Sequence, residues 1–417
     1  MNRDDLALKI ESAGGRLYLV GGSARDRLRG LPPVDDDYCV TGLSEATFAA
    51  LFPDSHSVGK AFSVYRMKVG EHVVEISLAR TESKAGTGHT DFDVAVSPHI
   101  TIEQDLQRRD LTINALAFDV LAKQLIDPFG GVADIQNKLI RAVSPAFAED
   151  PLRVYRAARF AAQFGFAIDP GTIHLMAKLR AELTALSVER VFSETRRALL
   201  SKRPSVYFRA LLEAEVLDVH FPEISALCGV TQPFKHHPEG DVFEHTMQVL
   251  DAAANLTQRE EVRFAALAHD LGKGATPKHL WPAHHGHEVR GTELVSRLCA
   301  RLKLPVSWRR AALFAAEYHM QAHFFEQMRP VKVVDLLEAA HRNPLGVEGF
   351  AVVATADMRG RNRPGFVHEN AMTMVDLWRR MRSEVTGRDI DCEDGGKAFG
   401  EALRKARADF VSRTFKL

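Results

Sequence analysis

Near the N-terminus an apolar run, Leu17–Val20, leads into Gly21-Gly22-Ser23-Ala24-Arg25-Asp26, and Asp35, Asp36 and Asp37 follow shortly after. These residue types suit a site for a nucleoside triphosphate and its metal ions. Glycines at a turn let backbone N–H groups approach phosphate oxygens, and the Arg25 guanidinium can neutralise them. Asp35 and Asp37 stand two apart, so on a strand both point to one face. Two carboxylates on one face can share hard divalent cations such as Mg²⁺. Two metals held that way activate an attacking hydroxyl and stabilise a leaving pyrophosphate. Asp36 points to the opposite face in this reading and is not a ligand. The same string also suits a plain turn followed by a solvated acidic loop, so the rest of the chain must decide.

Three further clusters lie in the first half: Asp105-Leu-Gln-Arg108-Arg109-Asp110-Leu-Thr112-Ile-Asn114-Ala115, Asp127-Pro128-Phe-Gly130-Gly131, and Glu149-Asp150-Pro151-Leu-Arg153-Val-Tyr-Arg156-Ala-Ala-Arg159-Phe160. In the third, Arg153, Arg156 and Arg159 step by three along a helix face. Such a row suits triphosphate or nucleic-acid phosphates, and equally a surface salt-bridge ladder. In the second half, His245 precedes a helix-like run, Thr246 to Ala254. Then comes Phe264-Ala-Ala-Leu-Ala-His269-Asp270-Leu-Gly272-Lys273-Gly274, an adjacent His-Asp pair near the end of an apolar helix closed by glycines. Ten of the eighteen histidines fall between His236 and His323. Imidazole and carboxylate ligands suit a transition metal.

The elements that must carry these groups divide by pattern. Residues 15–145 mix short β-like runs (Leu17–Val20, Val73–Ala79, Leu125–Ile126) with helical ones and read as an α/β domain. From Pro151 the pattern is helical almost throughout, with Leu152, Tyr155, Ala158, Arg159 and Ala162 at helical spacing. Lys+Arg and Asp+Glu are both 54, so net charge identifies no partner. Pro151 to Arg209, however, carries eleven Lys/Arg against four Asp/Glu, which fits a phosphate-backbone track or a solvated helical face. Lys397 to Lys416, with six basic residues against two acids, reads as an amphipathic helix. Cys39, Cys228, Cys299 and Cys392 are widely separated, which argues against a disulfide framework or zinc ribbon and for a reducing cytoplasm. No signal peptide or long uncharged apolar stretch is evident, so no membrane span is expected.

Taken together, these strings resemble the class II tRNA nucleotidyltransferases, the CCA-adding enzymes, of the bacterial multifunctional type with a C-terminal HD domain. The Gly-Gly-x-x-Arg-Asp string matches Gly21, Gly22, Arg25 and Asp26, and the Asp-x-Asp metal pair matches Asp35 and Asp37. The Arg-Arg-Asp-x-Thr-x-Asn-Ala string matches Arg108 to Ala115, with Arg109, Asp110 and Asn114 among the nucleotide-binding positions. Glu149, Asp150 and Arg153 match Glu-Asp-x-x-Arg, and the next helix matches Arg156 and Arg159. The resemblance implies an α+β nucleotidyltransferase head with a polymerase β-like mixed sheet (1–145), an all-α neck and body (146–225), an all-α HD domain (226–360) and a C-terminal helical segment (361–417). It implies CCA addition to tRNA from CTP and ATP without a nucleic-acid template, Asp150 and Arg153 reading the base edge. A carboxylate accepts from the exocyclic amine of C or A and a guanidinium donates to the ring nitrogen or carbonyl; G and U would leave charged groups unpaired. Mg²⁺ would serve the head, with Glu75 as the candidate third carboxylate. Two departures stand out: Val34 replaces a position often basic in relatives, and Asp36 makes the local field more negative.

The second half resembles the HD-type metal phosphohydrolases, whose ligand set matches His245, His269, Asp270 and Asp357, while His284, His285, His287 and His319 could serve a second metal or a substrate phosphate. This resemblance implies a divalent transition metal (Ni²⁺, Mn²⁺ or Co²⁺) and phosphatase, 2′-nucleotidase and 2′,3′-cyclic phosphodiesterase action. The expected partners are tRNA, CTP and ATP, with no membrane, and the protein is expected as a monomer or homodimer in the cytoplasm. A bacterial poly(A) polymerase is the nearest rival. An HD hydrolase whose head only binds RNA is a rival of another class, and a non-catalytic tRNA-binding protein fits two ligand sets poorly.

Overall fold

The computed structural model describes residues 1–31, 36–58, 64–84, 92–390 and 396–415, so Asp35 and Cys392 lie outside the described residues. The chain forms two compact units, Met1–Leu186 with Glu213–Val216, and Ser187–Leu212 with Leu217–Leu417.

The first unit is built on a mixed sheet. Strands β1 (Arg16–Val20), β2 (Asp37–Thr41), β3 (His56–Val58), β4 (Val64–Val69) and β5 (His72–Leu78) precede the hairpin β6 (Arg80–Lys84) and β7 (Phe92–Val96), which pairs separately. Strands β8 (Ala117–Asp119) and β9 (Leu125–Ile126) return to the main sheet, whose order is β3-β4-β5-β2-β1-β8-β9. Within this sheet, among the described residues, only the β2–β5 pair is parallel; it sets Asp37 opposite Glu75 and Cys39 opposite Ser77. Both faces of the central strands are covered. Leu17, Leu19, Tyr38 and Val40 enter one core with Phe48 and Ile76, and Tyr18, Val20 and Cys39 enter another with Leu106 and Ala117. This two-sided burial explains why β1 is apolar at consecutive positions rather than alternating.

The chain leaves β1 directly into the helix Gly21–Leu28, with Gly21 at φ +66°. Only glycine takes that backbone without strain, and a Cβ there would also lie 2.8 Å from Arg109 Nη1. The helix Leu152–Phe164 buries Leu152, Tyr155, Ala158 and Ala162 and stops at Gly165, whose φ of +68° is the left-handed helix terminator.

The second unit is helical. The helices Val242–Leu256, Glu260–Ala268, Val306–His323, Pro330–Arg342, Gly346–Arg359, Glu369–Glu384 and Lys397–Phe415 enclose one core, with Phe350, Leu337 and Met374 inside it. The basic C-terminal helix buries Ala408, Phe410 and Val411 and sets Arg404 on Asp335 at 2.6 Å and Arg407 on Glu338, so part of its charge is spent inside the fold. Among the described residues no helix is long and apolar enough to cross a membrane, and Cys39, Cys228 and Cys299 are free thiols.

Candidate active sites

In the first unit, Asp37, Glu75, Arg108 and Arg109 line a cleft of about 220 Å³ on the β2–β5 face. The parallel register puts the two carboxylates side by side, Asp37 exposed and Glu75 half-buried. Arg66, on β4 directly opposite Glu75, binds its Oε1 at 2.6 Å. Hard oxygen ligands on one wall and two guanidiniums on another are the donor set of a Mg²⁺–phosphate site. Asp36 is not part of this lining: its Oδ2 accepts from the Tyr38 hydroxyl at 3.1 Å and its Oδ1 lies 3.5 Å from Arg27.

The two arginines are held from behind by Asp105, whose side chain is fully buried. Its Oδ1 accepts from Arg108 at 2.8 and 3.1 Å, and its Oδ2 from Arg109 at 3.2 Å. Because the helix Ile102–Gln107 runs into them, the spacing of three and four residues places all three groups on one helical face. The sequence alone assigns Asp105 no role; its spacing of three and four residues from Arg108 and Arg109 is the signal that points to it.

Four of the expected nucleotide-binding residues form a single buried chain of hydrogen bonds. Arg25 donates to Asn114 Oδ1 at 2.6 Å, Asn114 Nδ2 donates to Asp110 Oδ1 at 3.0 Å, and Arg156 Nε donates to Asp110 Oδ2 at 2.7 Å. Burial alone would raise the Asp110 pKa; the Arg156 charge and the Asn114 amide outweigh it and bring it down to about 2. Arg153 donates to the Ala146 and Arg108 carbonyls at 2.7 Å each, Asp150 caps the Leu152 N–H at 3.0 Å, and Arg159 bonds Gln163 at 2.7 Å over the face of Phe160. The Arg153–Arg156–Arg159 row is therefore engaged within the unit. Gly22 sits half-buried in the first turn of its helix.

In the second unit, five elements bring ligand-type groups together. His245 projects from Val242–Leu256, His269 ends Glu260–Ala268 with Asp270 next, His287 opens His287–Arg301, His319 comes from Val306–His323, and Asp357 from Gly346–Arg359. Ligand atoms of His245, His269 and Asp357 lie within 4.8 Å of one another, and those of Asp270, His287 and His319 do likewise. Asp270 joins the groups: its Oδ2 is 3.3 Å from His269 Nε2 and 3.7 Å from His245 Nε2, and its Oδ1 is 3.3 Å from His287 Nε2. Every one of the six is buried, and among the described residues both ring nitrogens of His245, His269 Nε2 and Asp270 Oδ1 find no hydrogen-bond partner. Orphaned ligand atoms aimed at each other are costly unless a cation completes them, so the donor set fits a transition metal.

Both carboxylates carry a cation of their own. Lys273 Nζ lies 2.6 Å from Asp270, and Arg361 Nη2 lies 3.0 Å from Asp357, which also meets His323 at 2.6 Å. Burial would raise both carboxyl pKa values; Lys273 with His269, and Arg361 with His323, hold them well below the usual carboxylate range. His284 instead donates to the Thr231 carbonyl at 2.8 Å, and His285 is exposed. His237, Glu239, His323 and Arg361 are additions that the sequence reading missed. His323 and Arg361 stand four residues after His319 and Asp357, a helical spacing that could have pointed to them.

Residues 17–141 match the family described as the poly A polymerase head domain, 165–228 match "Probable RNA and SrmB- binding site of polymerase A", and 242–343 match the HD domain. Among solved structures, the chain resembles a Bacillus stearothermophilus CCA-adding enzyme crystallised with CTP (22% identity, TM-score 0.66, covering 98% of this chain and 92% of that one). It also resembles a CCA-adding enzyme in complex with ATP (19%, 0.64, 99% and 90%) and a tRNA-processing enzyme in an apo form (20%, 0.61, 98% and 96%). The chain thus matches the models of a poly A polymerase head domain, a probable RNA- and SrmB-binding site of polymerase A and an HD domain in that order, and shares the fold of the CCA-adding enzymes.

Proposed function

We propose that this protein adds C, C and A to the 3′ end of tRNA from CTP and ATP, and that its HD domain hydrolyses 2′,3′-cyclic and 2′-phosphates. The observation that carries the first half is Asp37 set in register with Glu75 beneath Arg108 and Arg109. Mg²⁺ held by Asp37, Glu75 and the expected Asp35 would activate the tRNA 3′ hydroxyl and neutralise the departing pyrophosphate. Arg108 and Arg109 grip the triphosphate, and Asp105 keeps both guanidiniums turned to the cleft. The Arg25–Asn114–Asp110–Arg156 chain fixes the wall on which Asp150 and Arg153 would read the base. The CTP and ATP complexes of the solved relatives support those two substrates.

In the HD domain His245, His269, Asp270 and Asp357 are the proposed metal ligands, with His287 and His319 on the far side of Asp270 for a second ion. The metal would supply an activated water at neutral pH, and Lys273 and Arg361 provide positive charge beside the ligand carboxylates for a phosphate. We keep the division into head (1–145), neck and body (146–225), HD domain (226–360) and C-terminal segment (361–417) as part of this proposal.

The poly A polymerase match of the head makes a poly(A) polymerase the second reading. Purified protein incubated with tRNA lacking its terminus, and with CTP and ATP singly and together, separates the two. CCA addition requires both nucleotides and stops after three; continued extension with ATP alone supports the rival.

A further inference from the structure

Beside the HD ligands lies a group of buried side chains with no role in the reading above. Glu239 has a fully buried side chain; its Oε1 hydrogen-bonds His237 Nδ1 at 2.8 Å and lies 2.8 Å from His245 Nδ1, a close contact off the line of a hydrogen bond. The opposite ring nitrogen of His245, Nε2, faces Asp357 Oδ1 at 3.1 Å and Asp270 Oδ2 at 3.7 Å. An imidazole offers one nitrogen to a metal only when its proton resides on the other, and a carboxylate at that other nitrogen fixes tautomer and ring orientation together. The local fold makes the contact specific. Asp241 caps the helix that carries His245, accepting from the Glu244 N–H at 3.0 Å, and its other oxygen accepts from the Gly229 N–H at 2.7 Å. The segment holding Glu239 is thereby anchored just ahead of the first helical turn.

We infer that Glu239 is a positioning residue for the HD metal: its carboxylate, 2.8 Å from His245 Nδ1, favours the proton on that nitrogen and so leaves Nε2 as the metal ligand. The inference rests on the proposed metal site. His237 holds the same carboxylate oxygen in place and is a brace in this reading, not a ligand. Removing the charge leaves His245 free to rotate or to change tautomer, and carboxylate partners of this kind are worth about 10- to 100-fold in metal affinity.

The test uses the full-length chain stripped of metal and titrated with Co²⁺ against a competing chelator, following the visible absorption of the bound ion. Glu239→Gln, which keeps the size but removes the charge and adds an N–H donor that can pair with the other His245 tautomer, is the main variant, because Glu239→Ala can fail to fold. His245→Ala sets the scale for loss of a ligand. The expected result is an affinity about 10- to 100-fold weaker for Glu239→Gln, with an altered Co²⁺ spectrum. The tryptophan-monitored thermal midpoint of the metal-free variant should stay near that of the wild type. His237→Ala should bind Co²⁺ nearly as tightly as the wild type. Wild-type affinity and spectrum in Glu239→Gln would overturn the positioning role alone. A loss in His237→Ala as large as in His245→Ala would overturn it in favour of Glu239 and His237 as ligands. Equal, negligible Co²⁺ binding by wild type and His245→Ala would overturn both the inference and the metal site beneath it.

Discussion

At Asp110 a buried carboxylate is stabilised by Arg156 and Asn114 until its pKa falls to about 2. An ordinary aspartate titrates near 3.9, so the folded first unit prefers the charged form. The stability this confers is complete above about pH 5 and is lost as pH falls through 4 toward 2, and the shift corresponds to about 3 kcal/mol. Asp110→Asn should therefore weaken the first unit at neutral pH and flatten its acid sensitivity. Far-UV circular dichroism through an acid titration checks this; an unchanged acid profile would contradict it. In the cleft, Asp37→Ala should lower nucleotide incorporation at least about a hundredfold, since metal-held phosphate chemistry contributes several kcal/mol. Asp36→Ala, which loses only the Tyr38 and Arg27 contacts, should cost far less. Parallel rates with CTP and ATP decide, and equal losses would invalidate the face assignment. The residues proposed to carry chemistry stand out in sequence by type and spacing alone: Asp37, Arg109, His269 and Asp270. Their supports do not. Asp105 resembled any acid on a helix, and Glu239 resembled any acid in a loop, because burial and partner distance are properties of the tertiary fold.

At the scale of elements, Gly272 shows why the His-Asp turn needs its glycines. A Cβ there would lie 1.9 Å from the His287 carbonyl oxygen and 2.5 Å from the Gly291 N, both main-chain atoms. Bare backbone at Gly272 lets the turn rest on the start of His287–Arg301, which carries His287 to Asp270. Gly272→Ala must push the two elements apart and should destabilise the second unit by about 3 kcal/mol while weakening Co²⁺ binding. Tryptophan-monitored urea unfolding reads the first effect, and a midpoint equal to wild type would refute the packing argument. The apolar runs predicting β1, β5 and β9 coincide with strands to within a residue or two. Strand β2 was read only through its acids, because Asp37 at its edge hides the buried Tyr38, Cys39 and Val40 that follow. The helix Leu152–Phe164 was equally visible by period, yet period alone could not say that Arg153 would donate to main-chain carbonyls and Arg156 to Asp110.

For the whole molecule, the two ligand sets lie in separate compact units, each with its own core. The three tryptophans, Trp281, Trp308 and Trp378, all belong to the second unit. Their fluorescence therefore reports that unit alone, while circular dichroism sees both. This permits a test of independence without cutting the chain. His269→Ala removes an inward-facing imidazole from the buried His/Asp cluster and leaves every described contact of the head intact. It should abolish hydrolysis of 2′,3′-cyclic and 2′-phosphate substrates in the presence of divalent transition metals, because a missing ligand breaks the geometry that activates water. CCA addition should continue at close to the wild-type rate, since the cleft between Asp37 and Arg109 draws on no residue of the second unit. Fluorescence unfolding distinguishes loss of a ligand from loss of the unit: a native-like midpoint with no hydrolysis identifies a metal defect. If folded His269→Ala protein kept full phosphohydrolase activity, the assignment of the buried cluster to that chemistry would be wrong. If CCA addition fell in step with hydrolysis, the two units would be functionally coupled despite their separate cores.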